Sequence, residues 1–243
     1  MTRIWVLMIL FVPHAASSQE KTETRELIGQ VGNRSTLLVL HAARQADGSL
    51  RLTGEYIVLP TLLRRFVDGE SSPEIGVTTL REGTTPILFG REPTGELRGT
   101  LRGGTFKGMR YGPGGQERER FEFSEEFPAM SGYGANVRCD ARDARYASSL
   151  AYAIEAGKLR ALDWRSTLAP SGHTCTISTI EQRAISGGLQ FVAGRCSVTL
   201  RDLGDYVRVS AENCAELCGS QAYLEPLLID RRGNCRLLRP ETR

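Results

Sequence analysis

The six cysteines have the widest choice of chemistry in this chain, because a thiol can form a disulfide, bind a metal or act in redox catalysis. A redox pair is typically spaced C-x-x-C beside a βαβ pattern, and a zinc site needs four ligands in paired spacings. Cys214 and Cys218 are spaced C-x-x-x-C, and the nearby histidine is His173. We therefore predict no metal site and no free thiol. The cysteines that we interpret as disulfide-bonded are Cys139, Cys175, Cys196, Cys214, Cys218 and Cys235.

The pairing of these cysteines stays open on sequence alone, because six cysteines allow fifteen connectivities. One pair can share a face of a helical turn at residues 211–218 that ends at Gly219. A second pair would close a meander of strands, and a third would tie the first strand of the second half to its last. The expected pairs are, in this order, Cys214–Cys218, Cys175–Cys196 and Cys139–Cys235.

Candidate catalytic side chains are few, since His41 and His173 are the only histidines after the N-terminal segment. Ser171 is too close in sequence to His173 for a nucleophile and its base, and no G-x-S-x-G motif is present. Glu125 and Glu126 would point to opposite faces of a strand, so they cannot converge on one substrate atom. The sequence therefore predicts no catalytic residue and no cofactor.

The chain begins with the pattern of a secretory signal peptide, in which Arg3 precedes the apolar run Ile4–Val12 and several small residues. We expect residues 1–18 to be removed by cleavage after Ser18, and the charged residues 19–27 to form a flexible leader. The expected location is the periplasm or the extracellular medium. An oxidising compartment of this kind agrees with the disulfide interpretation.

Charge and hydropathy restrict the partners of the chain. Removal of Arg3 with the signal peptide lowers the formal net charge from +3 to +2, which predicts no strong field for nucleic acid. No later stretch reaches eighteen apolar residues, so we expect no transmembrane segment in the mature chain. Composition does not indicate an oligomeric state.

Short strand-like runs with turn signals between them follow one another along most of the chain. Asp47-Gly48 is a hairpin signal, and Phe121 and Phe123 would share one face of a strand. The predicted fold class is mainly β, with two antiparallel barrel-like or sandwich-like domains in tandem, of which the second is stapled by disulfides. The expected domains are residues 28–128 and residues 134–240.

Residues 134–157 are ambiguous. Tyr146, Leu150 and Ile154 would share one face of a helix, whereas Leu150, Tyr152 and Ile154 would alternate along a strand. We favour the strand, because the residues after Gly157 continue naturally as its returning arm, but a helix remains open.

Two parts of the chain resemble bacterial envelope proteins. Residues 35–127 resemble a periplasmic β module, and residues 189–230, with the stretch NCAELCGSQAYLE, resemble lysozyme-inhibitor-like envelope proteins. The first resemblance rests on Gly54-Glu55-Tyr56, Leu80–Glu82, Thr94-Gly95, Leu97, Gly99 and Phe106-Lys107-Gly108. The second implies a small disulfide-held β domain that binds another envelope macromolecule. Ser131-Gly132-Tyr133 and Ser171-Gly172-His173 have no tyrosine at the offset that the inhibitory Ser-Gly-x-x-Tyr loop requires, so no inhibitory residue is transferred.

Two functions follow from these observations. The favoured one is a non-enzymatic binding or inhibitor-like protein that acts on an envelope protein or a peptidoglycan-related partner, and the alternative is an envelope hydrolase with its site at the domain junction. A binding protein should expose an aromatic patch on a rigid sheet or loop, whereas an enzyme should gather His173 or two carboxylates in one pocket. Tyr111, Tyr133 and His173 are the candidate binding residues. Phe127 is a further aromatic residue near the junction, for which we expect core packing.

Overall fold

The computed structural model of the chain describes residues 22–59, 61–72, 76–84, 93–169, 171–178, 181–219 and 224–237. The predicted signal peptide and its cleavage site lie outside these ranges. Within them the chain is mainly antiparallel β, which confirms the predicted fold class. None of the helices in these ranges has the length and apolar character needed to span a membrane.

The first eight strands are β1 (Glu23–Val31), β2 (Arg34–Arg44), β3 (Leu50–Val58), β4 (Leu63–Ser71), β5 (Thr78–Gly83), β6 (Gly95–Arg102), β7 (Thr105–Tyr111) and β8 (Arg118–Ser124), with a 3-10 turn at Pro113–Gly115. The next ten are β9 (Ala135–Arg142), β10 (Tyr146–Glu155), β11 (Lys158–Leu168), β12 (His173–Ser178), β13 (Glu181–Ile185), β14 (Gly188–Ala193), β15 (Cys196–Asp202), β16 (Tyr206–Glu212), β17 (Leu227–Asp230) and β18 (Cys235–Leu237). One short helix, α1, spans Ala215–Cys218.

Strands β1 to β8 form a closed barrel in which each strand pairs with the next and β1 pairs with β8. Alternate side chains of each strand point inward, as the period of a β-strand requires. The interior is filled by apolar side chains, including Phe106, Phe121 and Phe123, whose rings lie 4.6–6.5 Å apart. The barrel therefore has a packed core.

For residues 23–27, strand β1 corrects the expectation of a flexible leader. The strand begins at Glu23 and pairs with β2 along its whole length. Leu27 is fully buried inside the barrel, and Arg25 Nε lies 2.6 Å from Glu125 Oε1. The charged side chains of this segment thus form ion pairs, whereas sequence composition suggested solvated coil.

The second half consists of a four-stranded sheet, β12-β11-β10-β9, and a six-stranded sheet, β13-β14-β15-β16-β17-β18. The two sheets share one core, whose largest members are Trp164, Tyr152 and Phe191. Residues 135–142 and 146–155 are strands, so the described chain has no helix where the sequence left one open. Leu150, Tyr152 and Ile154 are buried on one face of β10, as the strand alternation predicted.

The structure has three disulfides, Cys139–Cys235, Cys175–Cys218 and Cys196–Cys214. The first is an expected pair, but the expected Cys175–Cys196 and Cys214–Cys218 pairs are wrong. Strand β12, which carries Cys175, and strand β15, which carries Cys196, belong to different sheets. Helix α1 contacts both strands, so its two cysteines bond to one sheet each.

The six-stranded sheet has a second apolar face that packs against the barrel wall. Residues of β2, β3 and β17 and of the connecting segments form this shared cluster, which we call the junction core: Leu37, Val39, Ile57, Leu59, Phe127, Leu203 and Leu228. Ile28, Leu62 and Tyr206 pack at its margin. The barrel is therefore joined to the second half by buried apolar surface as well as by the chain.

Candidate functional site

A cleft opens beside the junction core, between the outer wall of β1–β4 and the end of the six-stranded sheet. We call it the junction cleft, and its volume is about 670 Å³. It is lined by Thr22, Thr24, Glu26, Val39, His41, Thr53, Gly54, Glu55, Arg64, Phe66, Val67, Asp68, Arg208, Ser210, Ala211, Glu212, Asn213, Leu224 and Pro226. Both halves of the molecule contribute walls, so the cleft exists only when the halves are docked.

Strand alternation places the polar side chains of the cleft. In β3, Leu52 and Tyr56 point into the barrel, and Glu55 points outward. In β16, Val209 lies in the core between the two sheets of the second half, whereas Arg208 faces the barrel. Each strand thus turns apolar side chains to its own core and polar ones to the cleft.

Glu26 joins the two halves through a pair of arginines. Arg201 Nε lies 3.1 Å from Glu26 Oε2, and Arg208 Nη1 donates to Glu26 Oε1. Arg208 also donates to the Ser210 hydroxyl at 3.3 Å. The side chains of Arg208 and Glu26 are 5 % and 11 % exposed, so this carboxylate is held by two guanidiniums away from water.

Arg64 connects two further buried carboxylates, those of Glu55 and Glu225. Its guanidinium forms a close ion pair with Glu55, and its Nη1 atom lies 3.5 Å from Glu225 Oε1. Burial raises the pKa of Glu225 to about 7, against the attraction of Arg64, which lowers it, and with a smaller contribution from Glu55, which raises it. Glu225 is therefore the carboxyl of this network that titrates near neutral pH.

The cleft surface that is left after these ion pairs carries uncharged polar groups and two further carboxylates, Asp68 and Glu212. The Thr24 hydroxyl and His41 Nδ1 share a hydrogen bond of 3.2 Å, which orients the imidazole. Thr53 and Asn213 add a hydroxyl and an amide. Phe66 is partly exposed, with the Arg64 guanidinium carbon 5.1 Å from its ring centroid. Hydrogen-bonding groups thus surround one aromatic ring.

The structure does not bring the three predicted binding residues together. Tyr133 packs against the core of the second half, and its hydroxyl lies 3.0 Å from that of Tyr152. His173 Nε2 lies 2.5 Å from the backbone oxygen of Cys218, so the ring fastens β12 to the end of α1. Tyr111 lies in β7, outside the junction.

The expectation that Tyr111 lies near the junction is corrected by the strand order, because the walls of the junction come from β1–β4. Phe127 does lie at the junction, where it is 8 % exposed and where the Arg201 guanidinium carbon is 4.4 Å from its ring centroid. Core packing therefore describes Phe127, as expected.

Sequence reasoning did not identify the charged residues of the cleft. Glu26 was assigned to the leader, and no role was predicted for Arg208. One signal pointed to the junction: Leu37–Leu40 is an unbroken apolar run, which indicates a strand that is covered on both faces.

The described residues contain no group of three or more histidine, cysteine, aspartate or glutamate side chains that could hold a metal ion. No protein-family model, curated protein or solved structure matches the chain. The function is therefore inferred from the geometry of the cleft.

Proposed function

We propose that this protein is an exported, non-enzymatic binding protein that holds a neutral glycan segment of an envelope macromolecule in the junction cleft. The observation that carries the proposal is the partly exposed ring of Phe66 in a cleft that also offers hydroxyl, amide and imidazole groups. A sugar has hydroxyl groups that match such a surface and an apolar face that stacks on an aromatic ring.

The charges of the cleft support this choice of ligand. Both arginines of the cleft, Arg64 and Arg208, are engaged with Glu26, Glu55 or Glu225, and two further carboxylates, Asp68 and Glu212, line the walls, so the cleft disfavours an acidic ligand. The walls are rigid strands, which favours a preformed site. Three disulfides are typical of an exported protein and support the location.

The test uses chito-oligosaccharides as a soluble neutral glycan and measures their binding to the oxidised protein by calorimetry. We expect Phe66→Ala to weaken binding by about tenfold, because a stacked ring is lost from the cleft. Leu217→Ala is the control, since it removes an exposed apolar side chain outside the cleft. Binding that survives Phe66→Ala, or binding of none of the oligosaccharides, would overturn the proposal.

The hydrolase alternative has one observation in its favour. Glu55 and Glu225 both contact Arg64, and a pKa of about 7 would let Glu225 act as a general acid. Release of reducing ends from the same oligosaccharides tests it. Activity that is lost in both Glu55→Gln and Glu225→Gln would replace the binding proposal.

A further inference from the structure

The half of the barrel wall that faces away from the junction has a different charge pattern. The outward side chains of β6, β7 and β8 include five cations and two carboxylates, which are Arg98, Arg102, Lys107, Arg118, Arg120, Glu96 and Glu122. We call this surface the cationic face. Its strands contribute no described side chain to the junction core or to the cleft.

Most charges of the cationic face are not neutralised by the chain. Arg98 Nη2 lies 2.7 Å from Glu96 Oε1. Within the described ranges, no ion pair is formed by Arg102, Lys107, Arg118 or Arg120. These cations are exposed, so their field extends into solvent.

Tyr111 lies among these cations. The guanidinium carbons of Arg98 and Arg118 are each 5.8 Å from its ring centroid, which is within the range of a cation–π interaction. A shallow groove of about 290 Å³ runs beside the ring and is bordered by Pro93 and Pro113. The two guanidiniums thus keep the ring in place, and that of Arg118, which forms no ion pair within the described ranges, remains open to an anion.

We propose that the cationic face binds an acidic polysaccharide, with one sugar ring on Tyr111 and the carboxylates of neighbouring sugars on the arginines. A guanidinium matches a carboxylate through two parallel N–H donors, and four of the five cations are arginine. Arg98 and Arg120 both lie across from Met109 in the neighbouring strand pairs. They are therefore separated by two strand spacings, about 10 Å, which a polymer can span and a small anion cannot.

A membrane surface and a single-stranded nucleic acid fit this face less well. A membrane-binding surface would present large apolar side chains for insertion, but the exposed large apolar residues of the described chain are Val77 and Leu217, which lie outside these strands. A single-stranded nucleic acid would use several aromatic rings for successive bases. Among the outward side chains of β6–β8, all of which the structure describes, Tyr111 is the one aromatic residue.

The experiment measures binding of polygalacturonate to the oxidised protein by calorimetry at low and at physiological salt, with neutral dextran as the negative control. We expect the double variant Arg98→Gln, Arg118→Gln to weaken binding by about tenfold or more. The matched control is Arg160→Gln, Arg195→Gln, which removes two exposed cations from the second half and should change binding by less than about twofold.

Two further variants separate this proposal from the proposed function. Tyr111→Ala leaves the net charge unchanged and should still weaken polygalacturonate binding, whereas Phe66→Ala should not affect it. Equal losses in the Arg98/Arg118 and Arg160/Arg195 variants would mean that only overall charge matters and would overturn the proposal. Tighter binding to oligothymidylate or to phosphatidylglycerol vesicles than to polygalacturonate would assign the face to nucleic acid or to a membrane and would also overturn it.

Discussion

The buried carboxylates of the junction differ in how they are held. Glu26 is bonded by two arginines, one at each oxygen, whereas Glu225 has one distant contact with Arg64 at 3.5 Å. Burial of a carboxylate is unfavourable unless hydrogen bonds and charges compensate for it. Glu225 is therefore the place where the junction is electrostatically least satisfied, which explains why its pKa is raised.

This difference predicts a pH dependence of stability. The pKa of Glu225 is about 7 in the folded protein and about 4.3 in an unfolded chain. Between these two pH values the folded state binds more protons than the unfolded state, so the free energy of unfolding should fall as pH rises from about 4.3 to about 7.

The variant Glu225→Gln should remove this contribution and be more stable than the wild type at pH 8, by up to about 3 kcal/mol, with little difference at pH 4. Urea unfolding at several pH values measures it. Lower stability of Glu225→Gln at pH 8 would mean that the ion pair with Arg64 outweighs burial.

A second buried pair lies inside the barrel. Glu82 is fully buried, and its two oxygens accept hydrogen bonds from Arg110 Nε at 2.8 Å and Nη2 at 3.0 Å. Gly95 leaves room for this carboxylate, because a Cβ atom there would lie 2.8 Å from Glu82 Oε2. The pair is thus built into the barrel from three strands.

Removing one member of this pair should be more damaging than removing both. We expect Arg110→Leu alone to lower the free energy of unfolding by about 3–5 kcal/mol, because it leaves the buried Glu82 carboxylate without its cation, and Glu82→Leu to lower it by less, because Arg110 keeps its 3.0 Å contact with Glu119. The double variant should recover much of this loss. Urea unfolding of the four proteins forms a double-mutant cycle, and additive losses would contradict the argument.

At the scale of elements, the four-residue helix α1 links the two sheets of the second half. One end is bonded to β15 through Cys196–Cys214, and the other is bonded to β12 through Cys175–Cys218. The hydrogen bond between His173 and the Cys218 carbonyl strengthens the second attachment. A helix of this length is not stable by itself, so these attachments hold it.

The three bridges should differ in their contributions. They separate their cysteines by 96, 43 and 18 residues, in the order Cys139–Cys235, Cys175–Cys218 and Cys196–Cys214. The loop-closure estimate gives about 4.7, 4 and 3 kcal/mol. Paired cysteine-to-serine variants, compared by urea unfolding, should follow that order, and non-reducing peptide mapping checks the connectivity. Recovery of a Cys214–Cys218 peptide would contradict the structure.

Most strands could be predicted from the sequence because their alternation is local, as in Phe121 and Phe123. The closing strand β1 could not, since its charged side chains are satisfied by ion pairs with residues distant in sequence, such as Glu125. The disulfide pairs could not be predicted, because they depend on which of the two sheets carries each cysteine. The cleft residues were not predicted, because the sequence of an alternating strand does not show whether its polar side chains face water or another sheet.

At the scale of the whole molecule, the junction core couples the two halves. Leu37 and Ile57 of the barrel wall and Leu228 of β17 are fully buried there. Large aliphatic side chains contribute about 1.5–3 kcal/mol each when buried. The sequence suggested two domains in tandem, but this shared surface leads us to expect that they unfold together.

Trp164 allows the coupling to be measured, since it is the one tryptophan after residue 18 and lies in the core of the second half. In the wild type, its fluorescence and the far-UV circular dichroism should report one coincident urea transition. Leu228→Asp places a charge in the junction core and should separate the two curves. Leu217→Asp, at an exposed position, is the control. Separate transitions in the wild type would show that the halves are independent.

The Cys139–Cys235 bridge has a mechanical consequence. A pulling force applied to the two ends of the chain passes from β9 to β18 through the sulfur atoms, so the strands between them bear no tension. With 96 residues of separation and about 3.5 Å of extended length per residue, roughly 330 Å of chain is shielded. The barrel has no such bypass and bears the whole load. While its disulfides are oxidised, the molecule should therefore extend only by the length of its barrel and flanking segments, and reduction of Cys139–Cys235 alone would release the shielded chain except for the loop that Cys175–Cys218 closes.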